Sequence, residues 1–153
     1  MKINYYQQTK NNKVCYNVKF INNDDNLDES FEAFLSKWRS LYQDKSLFSF
    51  IFDTSEIKDA PIKYCFKFSN FIKELKSKPV QYLEFSIITI KNRMIHYLLN
   101  VILSIQKPVA PIYITKNMEE ALELFDYLST KSVLLESFIL INKITVIKSG
   151  FSK

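Results

Sequence analysis

The stretch LEFSIITIKNRMIHYLLNVILSIQKPVAPIYITKN, Leu83 to Asn117, decides the fold. It reads as a buried strand (Leu83 to Ile90), a very apolar helix (Asn92 to Gln106) and a second buried strand (Ala110 to Thr115). A helix joining two apolar strands predicts a βαβ crossover, with parallel strands and a right-handed connection. The polar residues of that helix, Arg93, His96, Tyr97, Asn100 and Ser104, make one narrow stripe. The remaining apolar arc, which includes Leu98, Leu99 and Ile102, is wider than packing on one sheet requires.

Upstream, Leu47 to Phe52 is a continuous apolar run that ends in Asp53, Thr54 and Ser55, the pattern of a strand covered on both faces. Pro61 suits a first helical turn, and the spacing predicts a helix over Ile62 to Lys76. That helix carries two apolar stripes, one through Ile62, Cys65, Phe66 and Ile72 and a neighbour through Tyr64, Phe68, Phe71 and Leu75. One stripe satisfies a sheet, so the second wants another partner. Leu27, Phe31, Phe34, Leu35, Trp38, Leu41 and Tyr42 recur at helical spacing and predict an amphipathic helix over Asp28 to Gln43, with Trp38 in the core. Asp24, Asn26 and Asp28 have the spacing that opens a calcium loop. However, Glu29 stands where the loop needs glycine and Leu35 where it needs a bidentate glutamate, so the run reads as helix capping. At the start, Val14, Tyr16, Val18 and Phe20 alternate with Cys15, Asn17 and Lys19, and Ile3 to Gln7 offers a partner across the turn Thr9 to Asn12, which predicts a β-hairpin.

Downstream, Asn117 with Glu120 resembles a capping box, and Met118, Ala121, Leu122, Phe125 and Leu128 predict a helix to about Leu128. The tail from Ser132 to Lys148 is apolar but is interrupted by Glu136, Asn142 and Lys143; its first part reads as helix and the remainder shows no clear period. The expected fold is α/β, in which an N-terminal β-hairpin leads into a mostly parallel five-stranded sheet covered by α-helices. Residues 1–130 form this domain, and 131–153 form an apolar C-terminal extension packing on the domain or on a partner.

Composition narrows the chemistry. A chain of 153 residues that is 47% apolar has enough material for one core. The two cysteines, Cys15 and Cys65, have no metal-like spacing, and no secretory signal precedes them, so a reducing, cytoplasmic setting is expected. No apolar run is long enough to span a membrane. The net charge of +5 invites nucleic acid, yet only two of the 21 basic residues are arginines, Arg39 and Arg93, which speaks against such a partner. The single glycine, Gly150, leaves neither a phosphate-binding loop nor a dinucleotide fingerprint. The single histidine, His96, lies on a helix face without a nucleophile or oxyanion loop beside it. No catalytic residue, metal or cofactor is assigned.

Two sets of residues are candidates for binding. In a parallel sheet, ligands gather beyond the carboxyl ends of the strands. Those ends carry Asp53, Thr54 and Ser55, then Asn92 and Arg93 after Lys91, then Thr115, Lys116 and Asn117. Beside helix N-termini they form a candidate anion site, with helix capping by Asn92 and Asn117 as the simpler reading. The second set is the apolar excess of the two central helices, Tyr64, Phe68, Phe71, Leu98, Leu99 and Ile102, which marks a partner or lipid interface. The lysines Lys58, Lys63, Lys67, Lys73, Lys76 and Lys78 read as a solvated face.

The order of elements carries a resemblance. A strand ending in Asp53-Thr54-Ser55, a helix opened near Asp59 and Pro61, the strand Phe85 to Ile90, and the strand Ile112 to Ile114 followed by the helix from Met118 resemble a STAS domain, of the sulfate-transporter and anti-sigma-factor antagonist family. The lipid-binding CRAL-TRIO domains have a related architecture. The resemblance covers Tyr5 to Leu128 and is one of topology and hydrophobic pattern. It implies a regulatory turn with a phosphorylatable serine at the start of the helix after the third strand. Here that turn is Asp59-Ala60-Pro61-Ile62, without a hydroxyl, and Thr54 and Ser55 just upstream are the substitutes. The expected role is a non-catalytic interaction or regulatory module that docks a protein partner or forms a homodimer through its over-apolar helices. The alternative is a lipid or membrane-surface binder of CRAL-TRIO-like type.

Overall fold

The computed structural model describes residues 2–21, 26–58 and 60–150. Two strands open the chain, β1 (Lys2–Lys10) and β2 (Lys13–Ile21), joined by a two-residue turn in which Asn11 and Asn12 have φ of 51° and 64°. Asparagine is among the few residues that tolerate this left-handed backbone, which matches the twist of a hairpin. There follow α1 (Leu27–Gln43), β3 (Phe48–Asp53), α2 (Lys63–Lys76), β4 (Leu83–Thr89), α3 (Arg93–Ile105), β5 (Ile112–Thr115), α4 (Met118–Thr130), α5 (Leu135–Ile141) and β6 (Thr145–Ile147). The start of the Asp24-Asn26-Asp28 run and Asp59 lie outside the described residues. Asn26 itself caps α1, its side chain accepting from the backbone N–H groups of Asp28 and Glu29.

The protein is α/β, with one mixed sheet in the order β1-β2-β3-β4-β5-β6. The β1–β2 and β5–β6 pairs are antiparallel and the three pairings between them are parallel. The expected five strands are therefore short by one. The extra strand, β6, comes from the tail, where three residues are too few to show a period.

Parallel strands added one after another in a single direction, with right-handed crossovers, place each crossover helix on the same face. The side chains follow that rule. Val18, Phe50 and Phe52 pack with Phe34, Trp38, Phe71 and Ile72 of α1 and α2, and Ile102 of α3 joins this core. On the other face, Cys15, Ile51, Phe85 and Ile87 pack with Ala121, Leu124 and Phe125 of α4 and with Phe138 of α5. The tail thus covers the face opposite α3. Among the described residues of α3 only Ile95 is buried, although nine of its thirteen residues are apolar.

Two contacts fasten α2. Arg39 of α1 holds Glu74 in a two-pronged ion pair at 2.7 and 3.0 Å while its guanidinium covers the Phe71 ring, and the Arg39 hydrogen bond keeps the Glu74 carboxyl below its ordinary range. On the other side, small residues bring α2 against α3. The Ser69 hydroxyl is shared between Cys65 O (2.7 Å) and Ile102 O (3.3 Å), and the Cys65 thiol faces Leu98 O at 3.7 Å. Both cysteines are buried and free. Burial pushes the Cys15 thiol up to about 12, so it acts as a small packed hydrophobe rather than a nucleophile.

Candidate functional site

Because α3 leans on α2 instead of sinking onto the sheet, a space remains beneath it. This cavity, of about 200 Å³, is lined almost wholly by carbon. Its floor is Phe20, Phe52, Ile88 and Ile90 of the sheet, and its walls come from Phe31 and Phe34 of α1, Tyr64 and Phe68 of α2, and Ile95, Leu98, Leu99 and Ile102 of α3. Ile57, Ala60 and Pro61 from the loop after β3, with Leu27 of the first turn of α1, close the end nearest the carboxyl edge of the strands. A second space of about 50 Å³ continues from it under α3, sharing Phe52, Phe68, Ile88, Leu99 and Ile102 and reaching Trp38. The Trp38 indole N–H has no hydrogen-bond partner among the described residues.

The apolar candidates converge here. Tyr64, Phe68, Leu98, Leu99 and Ile102 all line the larger cavity. Phe71 does not; it is 2% exposed and packs on Trp38 with ring centroids 5.2 Å apart. Sequence reasoning missed the contributions of Phe31, Phe34 and the sheet floor, which read as ordinary core. The only signal for the cavity was the surplus apolar surface on α2 and α3.

The space is partly open to solvent, and its carbon lining favours an apolar ligand that takes its surface out of water. Each methylene taken from water contributes about 0.8 kcal/mol. A chain of about eight carbons therefore gains roughly 6 kcal/mol before the cost of immobilising it.

The polar strand-end candidates mostly carry turn and capping bonds. Asp53 accepts from the backbone N–H and hydroxyl of Ser55 (3.0 and 2.6 Å), fixing the turn after β3. Thr54 faces the cavity side and donates to Thr89 O at 2.6 Å. Thr115 is buried, lies in register with Thr89, and its hydroxyl has no partner among the described residues. Asn92 caps α3, accepting from Ile95 N at 2.9 Å and donating to Ile57 O at 3.3 Å. Asn117 caps α4, accepting from Glu120 N at 2.8 Å, while the Glu120 carboxylate accepts from Lys116 N. Arg93 and Lys116 are exposed. Capping and turn formation thus engage Asn92, Asn117 and Asp53. Replacing Asn92 with Ala is expected to cost about 1 kcal/mol, measured by urea denaturation, because it frees both the first turn of α3 and the loop at Ile57.

Beside the cavity sits a small charged group. The Tyr64 hydroxyl donates to Asp28 Oδ1 at 2.5 Å, and Nζ of Lys63 and of Lys67 lie 3.4 and 3.6 Å from the same oxygen. Both ammonium groups also stand over the Tyr64 ring, 5.2 and 5.5 Å from its centroid. The Tyr64 hydrogen bond, aided by the two lysines, holds the Asp28 carboxyl below its ordinary value. Burial first, and Asp28 second, push Tyr64 up to about 12. A carboxylate whose folded pKa is depressed contributes stability above its ordinary value and loses it as pH falls through the depressed one. The difference in melting temperature between the natural protein and Asp28→Asn is accordingly expected at neutral pH and expected to vanish in acid below the usual carboxylate range.

Among the described residues no three His, Cys, Asp or Glu side chains gather at metal-binding spacing, and no helix is long and apolar enough to cross a membrane. Comparison with protein-family models, with curated proteins and with solved structures finds no match to the chain.

Proposed function

We propose that this chain is a non-catalytic, STAS-like binding module working in the cytoplasm, and that its cavity takes a single-chain apolar ligand in the manner of the CRAL-TRIO architecture. The observation that carries this reading is the meeting of Tyr64, Phe68, Leu98, Leu99 and Ile102 on one carbon-lined space. No catalytic step, metal or cofactor belongs to the proposal. The order of elements and the sheet with helices on both faces support the STAS-like part of it. A neutral chain tests the cavity alone. Decanol titrated into the protein is expected to give a saturable change in the emission of Trp38, the only tryptophan, which lines the smaller space. An unchanged spectrum up to the solubility limit counts against the reading.

The outer side of the same helices favours a second reading, docking of a protein partner or of another copy of the chain. Tyr97 and Ile105 of α3 are 59% and 46% exposed, and Phe66 of α2 is 53% exposed. The tail packs on the opposite face and leaves them uncovered. Light scattering over a range of concentrations distinguishes self-association, which raises the mass with concentration, from a hetero-partner, which leaves the chain monomeric on its own.

A further inference from the structure

We propose that the ligand of the cavity is a carboxylate on an aliphatic chain, and that Tyr64, Lys63 and Lys67 receive its head at the position the Asp28 carboxylate fills. The inference rests on the apolar-ligand reading above and adds the chemistry of the head.

One hydroxyl donor and two cations from one helix converge on a single carboxylate oxygen. The Tyr64 hydroxyl and the ammonium groups of Lys63 and Lys67 all point at Asp28 Oδ1, within 2.5 to 3.6 Å. This is the geometry of a carboxylate receptor, and Asp28 shows that a carboxylate satisfies it. The receptor adjoins the cavity, because the Tyr64 ring is part of the wall while its hydroxyl reaches the charged group, and Leu27, next to Asp28 in sequence, is also part of the lining. A ligand whose tail lies along the floor therefore meets polar donors at the end where its head must sit.

Charge and cost point the same way. Among the described residues the two lysines outnumber the one aspartate they share, so these three charges sum to a net positive one. Lys63 stands in the first turn of α2, where a cation opposes the helix dipole and an anion is favoured. Asp28 is half exposed, and its side chain reaches water by a rotamer change without stranding a buried charge. Displacement of Asp28 by a ligand carboxylate exchanges one anion for another, whereas a cationic head has to compete with two lysines already in place for the same carboxylate and ring.

The test uses three heads on one chain, decanoate, decanol and decyltrimethylammonium, each below its micelle-forming concentration, read by Trp38 emission and by calorimetry. Decanoate is expected to bind about tenfold more tightly than decanol, the scale of one or two charge-assisted hydrogen bonds, with decyltrimethylammonium weakest and the preference shrinking in high salt. Asp28→Asn is expected to strengthen decanoate several-fold and leave decanol unchanged. Lys63→Gln with Lys67→Gln is expected to abolish the preference while decanol binding persists, which also shows that this variant is folded. Saturable binding with decanoate and decanol equal in the natural protein overturns the head assignment and leaves the cavity reading standing. Absence of binding by all three overturns both.

Discussion

Phe50→Ala is expected to lower the unfolding free energy by about 3–5 kcal/mol, the usual range for deleting a fully buried phenylalanine ring. Phe50 is 1% exposed in the middle of β3. Its ring lies 4.7 Å from that of Trp38, 4.8 Å from Phe52 and 5.3 Å from Phe48, so the deletion removes the common neighbour of an aromatic cluster joining α1 to the sheet. Domains of this size hold about 5–15 kcal/mol in all, so the loss takes a large share of the total. Urea denaturation followed by Trp38 fluorescence measures it. Phe66→Ala removes a ring of the same size from the exposed side of α2 and is expected to stay within about 0.5 kcal/mol of the natural protein.

Ile88→Phe is expected to weaken decanol binding strongly while costing little stability. Ile88 is a half-buried residue of β4 and contributes to the floor of both spaces under α3. The added ring atoms enter the cavity where an acyl chain would lie, and affinity is expected to fall by about a hundredfold, the worth of three or four methylenes no longer buried. In a filled core the same enlargement costs about 1–3 kcal/mol. The neighbouring residue supplies that contrast. Ile87 is 0% exposed and points into the opposite core, against α4 and α5, so Ile87→Phe is expected to pay the full overpacking penalty. Equal destabilisation by the two variants would mean that the space under α3 is already closed.

The parts of the fold with strong local periods were legible in the sequence. Alternation from Val14 to Phe20 placed β2, the unbroken apolar run placed β3, and the βαβ unit from Leu83 to Asn117 set the parallel middle of the sheet. What escaped was punctuation. This chain has one glycine, and its left-handed turns are made by other residues, with Lys45, Lys131 and Lys143 at φ between 51° and 54°. The helix-ending bonds from Ser132 N to Tyr127 O and from Ile144 N to Ile139 O follow lysines. A lysine announces no turn, so the ends of α4 and α5 and the start of β6 had no marker.

The site was legible in a different measure. Surplus apolar surface on α2 and α3 was readable because helical spacing assigns residues to faces. The same periodicity cannot tell Phe71, closed inside the core against Trp38, from Phe68, which borders the cavity, since both belong to one stripe. The grouping of Asp28 with Tyr64, Lys63 and Lys67 links positions 35 to 39 residues apart, which only the packing of α1 on α2 reveals. Asn92 and Asn117 were read both as caps and as anion ligands, and the geometry of the first turns of α3 and α4 engages them as caps.

The central claim is that the space between the sheet and α1, α2 and α3 is a binding site for an aliphatic chain. Native mass spectrometry of the protein purified from cells, beside Ile88→Phe prepared identically, tests it most directly. The natural protein is expected to carry an added mass that is released into organic solvent as a fatty acid or similar single-chain lipid, and Ile88→Phe is expected to carry none. A bare mass for both proteins, even after incubation with decanoate, or the same adduct on both, would contradict the claim.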